Sequence, residues 1–150
     1  MIFRSVIQWV EGELKDSRND TVHDFLAYLA GQMIEMNKTK SDEIKGFLKW
    51  FEREIGAEID DLANKTAIKE YHEHDFDSLI NILKKNKNKM VIDPSSRKTQ
   101  ELLEEHFERS MAMIKPLKTK IQATDELIDR IVYRLYGLTP EEIGIVEGQR

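Results

Sequence analysis

His72-Glu73-His74-Asp75, with Glu70 and Asp77 close by, gathers more metal-ligating side chains than any other stretch of the chain. Imidazole and carboxylate are donors that zinc and other divalent ions accept. A working site needs a third or fourth ligand at a defined spacing. Nothing in the sequence brings His23 or His106 to this pair. His72 and His74 are therefore weak metal candidates, and a polar loop explains them as simply. Glu58, Asp60, Asp61 and Lys65 have the residue types of an acidic–acidic–lysine nuclease, whose carboxylates converge on a divalent ion beside a phosphate. No strand context accompanies them, so no catalytic residue is assigned. The remaining group is basic. Lys84, Lys85, Lys87 and Lys89 form the dense run KKNKNK. In a loop between helices such a run can touch phosphates and add sequence-independent affinity. A solvated loop is the competing explanation. Lys115, Lys118 and Lys120 make a second, weaker group.

The elements that must position these residues read as helices. Ile2, Val6, Val10 and Leu14 form a stripe over residues 2–15, with Trp9 beside it, and Asp16 to Asp20 is a turn cluster. A first long arm spans 21–56. Val22, Leu26, Leu29, Met33 and Met36 step by four and three, and Ile44, Phe47, Leu48, Phe51 and Ile55 continue the apolar face. The polar stretch Asn37 to Asp42 permits either a continuous helix or a break and restart. Gly56 is a natural stop.

Residues 57–97 read as an irregular, partly helical connection. Asp75 or Asp77 can cap a helix carrying Phe76, Leu79, Ile80 and Leu83. Met90-Val91-Ile92 is the one strand-like fragment. Asp93-Pro94-Ser95-Ser96 signals entry into a second long arm, 98–136. There Leu103, Phe107, Ser110, Ile114, Leu117, Ile121, Thr124, Ile128, Ile131 and Leu135 repeat by four and three. That is a heptad seam, apolar except at Ser110 and Thr124, and it calls for a helix packed lengthwise on another. Pro116 interrupts the arm, so the spacing predicts a bend or a join near Met113 to Pro116. Met111 and Met113 suit irregular gaps there. Gly137 then ends the helix. Thr139-Pro140-Glu141-Glu142 opens a short one over 139–148, as a capping box with proline at the first helical position. The expected fold is all-α: a long antiparallel, coiled-coil-like hairpin with shorter helices added, in a single helical domain. Trp9 and Trp50 read as core or interface residues.

Composition bounds the function. A chain of 150 residues can bury one modest core. Charged residues make up 34% with both signs interleaved, and the net charge is −5, so the molecule as a whole is not an electrostatic binder of nucleic acid. Any DNA contact must be local. The chain has no cysteine, which fits a reducing, cytoplasmic setting. No apolar run reaches membrane-spanning length, and the start lacks a signal-peptide pattern.

Two runs carry a resemblance. LAYLAGQMIEMNK, Leu26 to Lys38, and IQATDELIDRIVYRLYGLTPEEIGIVEG, Ile121 to Gly148, resemble the helical arms near the C-terminus of type IIG-like restriction–modification enzymes. EIGAEIDDLANKTAIKEYHEHDF is similar to the middle of the longer members. Those enzymes methylate adenine in DNA from S-adenosylmethionine, and many carry a nuclease. The resemblance implies a C-terminal, non-catalytic helical piece of a larger enzyme, at or after its target-recognition part. It implies the methyltransferase and target-recognition domains as partners. The family's Asn-Pro-Pro-Tyr motif is absent here, as is a glycine-rich cofactor loop, and Pro94, Pro116 and Pro140 stand far apart. On this reading the chain itself holds no cofactor, and S-adenosylmethionine belongs to the parent enzyme. Two rival expectations remain: an independent interaction module that homodimerises through the seam, and a metal-dependent nuclease built on the His72/His74 region.

Overall fold

The computed structural model describes residues 2–148, with side chains from residue 4 onward. The protein is all-α. Its helices are α1 (Ile2–Lys15), α2 (Asn19–Ile55), α3 (Lys65–Lys69), α4 (Phe76–Lys85), α5 (Arg97–Leu135) and α6 (Pro140–Gly148). Three 3-10 turns, Ile59–Asp61, Tyr71–Glu73 and Lys87–Lys89, join them, and no strand occurs among the described residues. The chain divides into two compact units. A central unit comprises Lys38–Lys118, and a terminal unit comprises Met1–Asn37 with Thr119–Arg150. No helix of the described residues is long and apolar enough to cross a membrane.

In the central unit the stripe Phe47, Phe51 and Ile55 of α2 meets Leu103, Phe107, Met111 and Ile114 of α5. The pairing is antiparallel. Trp50 stacks on His106, while Gly46 and Phe47 face Ser110 and Met113 further along α5. The connection is not a loose excursion. Ile59, Leu62, Ile68, Tyr71, Phe76, Leu79, Ile80 and Leu83 all enter the same core. Burying an aliphatic or aromatic side chain of this size contributes about 1.5–3 kcal/mol. The turns at Ile59–Asp61 and Tyr71–Glu73 and the short helix α3 are thus each held by a buried anchor, whereas Lys87–Lys89 has none. α4 starts at Asp75, whose carboxylate accepts the Ser78 amide at 2.8 Å. Asp77 instead lies in the first turn, where its charge complements the helix dipole.

One expectation fails here. Met90-Val91-Ile92 is not a strand. It has a single backbone bond to a neighbouring element, Val91 N–H to the Ile55 carbonyl at 2.8 Å, and no partner strand. Of the bend or join expected near Pro116, the join is absent, because α5 continues through it. Pro116 and Ala112, the residue four positions earlier whose carbonyl loses its helical donor, are both exposed. Water can satisfy that carbonyl, and buried Met111 and Ile114 hold the helix on its inner side.

In the terminal unit Ile7 and Val10 of α1, Val22 and Leu29 of α2 and Ile131 of α5 form a second core. Val6 and Leu14 pack partly against it, whereas the side chain expected from Ile2 lies outside the described residues. α1 ends at Ser17, which adopts a left-handed φ of 61° and donates to the Leu14 carbonyl. α2 begins two residues before Thr21 and runs through the polar Asn37, whose side chain bonds back to the Met33 carbonyl at 2.9 Å.

The C-terminal punctuation forms as its residues dictate. Gly137 takes φ 61°, and Leu138 N–H reaches the Tyr133 carbonyl at 2.9 Å, closing α5. Thr139 Oγ1 accepts the Glu142 amide at 3.2 Å, and Glu142 returns a carboxylate to the Thr139 amide at 3.1 Å. α6 has no buried residue, so this box is its main support. Thr139→Ala is expected to cost α6 about 1 kcal/mol. Amide exchange at Glu142 and Ile143 should rise several-fold, while protection in α2 and α5 stays unchanged.

Candidate functional site

The lysine run is the most highly built of the sequence-predicted sites, and its builder is Asn86. This residue caps the C-terminus of α4 and is only 3% exposed. Its Oδ1 accepts the Ala63 amide at 2.9 Å. Its Nδ2 donates to the Ala63 carbonyl at 3.2 Å and to the Ile82 carbonyl at 2.9 Å. All three bonds connect the end of α4 to the segment entering α3 or to its own last turn. Lys84 and Lys85 close α4, where cations complement the negative end of the helix dipole. Lys87 and Lys89 follow on the 3-10 turn, and Lys89 Nζ reaches the Asp61 carbonyl at 3.3 Å. All four lysines are exposed. The arrangement is a fixed turn presenting ammonium groups to solvent, which suits phosphate contacts.

The histidine cluster does not converge. Among the described residues no three His, Asp or Glu side chains come together to hold a metal. His74 is exposed, and Asp75 is engaged in capping α4. His72 faces a cation instead. Lys118 of α5 donates to the His72 carbonyl at 2.7 Å and pairs with Glu73 at 2.9 Å. His72 Nδ1 lies 3.3 Å from the same Glu73 oxygen, yet the alignment makes no hydrogen bond and the buried nitrogen has no partner among the described residues. Burial first, and Lys118 next, push the imidazole below its ordinary value, against the opposing pull of Glu73. The hydrogen bond from Lys118 holds the Glu73 carboxyl below its own ordinary value.

A pH dependence follows. The folded state prefers neutral His72, so its stabilising share is whole above the unfolded value of 6.5 and fades as pH falls through it. The urea midpoint should therefore drop between pH 7 and pH 5.5. His72→Gln should flatten that part of the curve, and an unchanged slope in the variant would show that another group is responsible.

The acidic group is separated by its local geometry. Asp60 pairs with Lys69 at 2.5 Å, while Glu58, Asp61 and Lys65 are exposed. Lys115 and Lys120 are exposed and Lys118 is half-buried in the contacts just described. Several important residues carry no motif. Asn86 sits inside a polar run that reads as any turn, and only its place just after an apolar helix hints at a cap. Tyr71 and Ser110 share a buried hydrogen bond of 2.6 Å. Burial pushes the Tyr71 phenol up to about 12 despite that bond. Trp50 stacks on His106 with centroids 3.9 Å apart and planes 16° from parallel.

The family model described as Domain of unknown function (DUF8810) matches residues 19–132. The chain belongs to this family. The DUF8810 match takes in the whole of α2, the connection and most of α5, so Asn86, the four lysines and the His72–Lys118 contact all fall within it. α1, Gly137 and the capping box of α6 lie outside the DUF8810 region. No curated protein and no solved structure matches the chain.

Proposed function

We propose that the chain is a non-catalytic helical scaffold of a DNA-modifying restriction–modification system. It holds the target-recognition part against the methyltransferase part and adds contacts to the DNA backbone. The resemblance of Leu26 to Lys38 and Ile121 to Gly148 to the arms of such enzymes motivates the parentage. The observation that carries the DNA contact is the set of four exposed lysines on the end of α4 and the turn after it, anchored between them by buried Asn86. S-adenosylmethionine and the methyl transfer belong, on this reading, to the methyltransferase part.

The buried half of the seam argues against self-association through those residues. Leu103, Phe107, Ser110 and Ile114 are buried within the central unit, and Ile131 within the terminal one. They are committed inside one chain. The test is a titration of the full chain into labelled duplex DNA of unrelated sequences. Binding should be weak, indifferent to sequence and lost between about 50 and 200 mM salt, each phosphate contact adding about −0.9 to the logarithmic slope. Replacing Lys84, Lys85, Lys87 and Lys89 by alanine should reduce that slope. Tight binding of one sequence at physiological salt would make the chain a recognition module instead. A salt slope that ignores the four replacements would remove the lysine turn from the interface.

A further inference from the structure

A second feature of the central unit lies apart from the lysine turn. A cleft of about 310 Å³ opens between α2 and α5, lined by Glu43, Gly46, Phe47, Trp50, His106, Arg109, Ser110 and Met113. Its floor is aromatic. Phe47 packs on Tyr71 with centroids 4.1 Å apart, and the Trp50–His106 stack forms one end. Met113, half exposed, supplies a flexible apolar wall. Two charges border this surface. Arg109 is already paired with Glu105 at 2.7 Å. Glu43 makes no ion pair or hydrogen bond among the described residues, and its charge reaches far enough to raise the Tyr71 phenol. The charge left to be matched is therefore negative.

Gly46 lines the same cleft and is exposed. It stands in the interior of α2, where glycine is less favourable than alanine. No close packing demands it, for a Cβ built there meets nothing within 4 Å. The space that a side chain would occupy belongs to the cleft. An aromatic floor, an unmatched carboxylate and a glycine-opened wall suit an ammonium group on an apolar stem, which gains from ring faces and from the anion together. The volume lies at the bottom of the range for small-molecule pockets, about 300–1,000 Å³, which fits one long side chain entering from a surface.

We propose that this cleft receives a lysine side chain of a partner protein, its stem over Trp50 and Met113 and its ammonium at Glu43. The probe is Nα-acetyl-lysine N-methylamide, added to the full chain and followed by amide and indole NMR shifts. Saturable shifts at Gly46 and the Trp50 indole are expected, with millimolar affinity. The neutral isostere Nα-acetyl-norleucine N-methylamide should bind at least fivefold more weakly. Glu43→Gln should weaken the lysine probe by a similar factor with the rest of the spectrum unchanged. Gly46→Ala should raise the melting temperature yet weaken the probe, a combination that damage to the fold does not produce. Equal binding of the neutral isostere, or no effect of Glu43→Gln, overturns the proposal. Butylammonium binding as tightly as the capped lysine also overturns it, by assigning the cleft to free amines.

Discussion

Replacing Asn86 by leucine is expected to destabilise the protein by about 2–4 kcal/mol. The side chain fills a buried position with three hydrogen bonds, two of them to the backbone of Ala63 and one to Ile82. Leucine matches its volume but leaves the Ala63 amide, the Ala63 carbonyl and the Ile82 carbonyl without this partner. A half-buried polar group stranded in this way costs about 1–3 kcal/mol, and three are affected together. Asn86→Asp retains the acceptor but turns a carboxylate oxygen onto the Ala63 and Ile82 carbonyls at a buried position, so it should cost at least as much as leucine. The effect should be larger on the lysine turn than elsewhere. Chemical denaturation measures the first part. Amide exchange at Ala63, Lys87 and Lys89 measures the second. Loss of stability with an unmoved lysine turn would show that Asn86 supports the core alone.

The same substitution separates two consequences for DNA. If the four lysines act as an ordered set, releasing their turn should lower affinity without changing their charge. The salt slope would stay near that of the wild type while the affinity fell. If they act only as a diffuse cloud of charge, affinity should hardly move.

Gly56→Ala should cost about 2–4 kcal/mol. Gly56 ends α2 with φ +69°, a region that non-glycine residues enter at about 1–2 kcal/mol. A Cβ there would lie within 3 Å of the Val91 side chain, on both its Cβ and Cγ2 atoms. Overlap of that kind adds about 1–3 kcal/mol. Val91 is largely exposed, but its amide is held by the Ile55 carbonyl, so it cannot withdraw freely. The double variant Gly56→Ala/Val91→Gly should recover the overlap share and keep the backbone share. A double-mutant cycle on denaturation midpoints gives the split. No recovery would mean that the cost is entirely conformational.

These two residues also mark what the chain reveals before folding. Gly56 was readable as a helix stop, because an apolar face ended on a glycine. Asp75, Gly137 and the Thr139–Glu142 box were readable for the same reason: each is a local device whose partners lie within a few residues. The seam was readable because helical packing repeats, and Leu103, Phe107 and Ile114 are buried where the repeat puts them. At Pro116 the sequence leaves a bend or a join open, because proline is judged by its cost to a helix, whereas the face on which it falls decides how much is lost. The connection is harder to read. Its turns are too short for a period to emerge, so nothing in the sequence marks Ile68 and Tyr71 as core residues.

The candidate sites divide along the same line. Lys84, Lys85, Lys87 and Lys89 were visible as a run of one charge. The residue that orders them was not, since Asn86 acts through Ala63, which is distant in sequence. His72 was visible as part of a cluster of ligand types, but Lys118 stands 46 residues further along. No spacing rule links them. Trp50, Glu43 and His106 become neighbours only when α2 and α5 pair, so their cleft left no mark on either helix alone.

The polar break in the seam carries one more implication. Ser110 meets the Tyr71 hydroxyl in the interior, where neither could tolerate solitude. Apolar layers of similar size can slip past one another by a turn at modest expense. A hydroxyl pair cannot, because displacement by a turn leaves two dry oxygens facing hydrocarbon. This bond therefore indexes the connecting segment against the long helix, rejecting near-miss alignments that greasy contacts alone would accept.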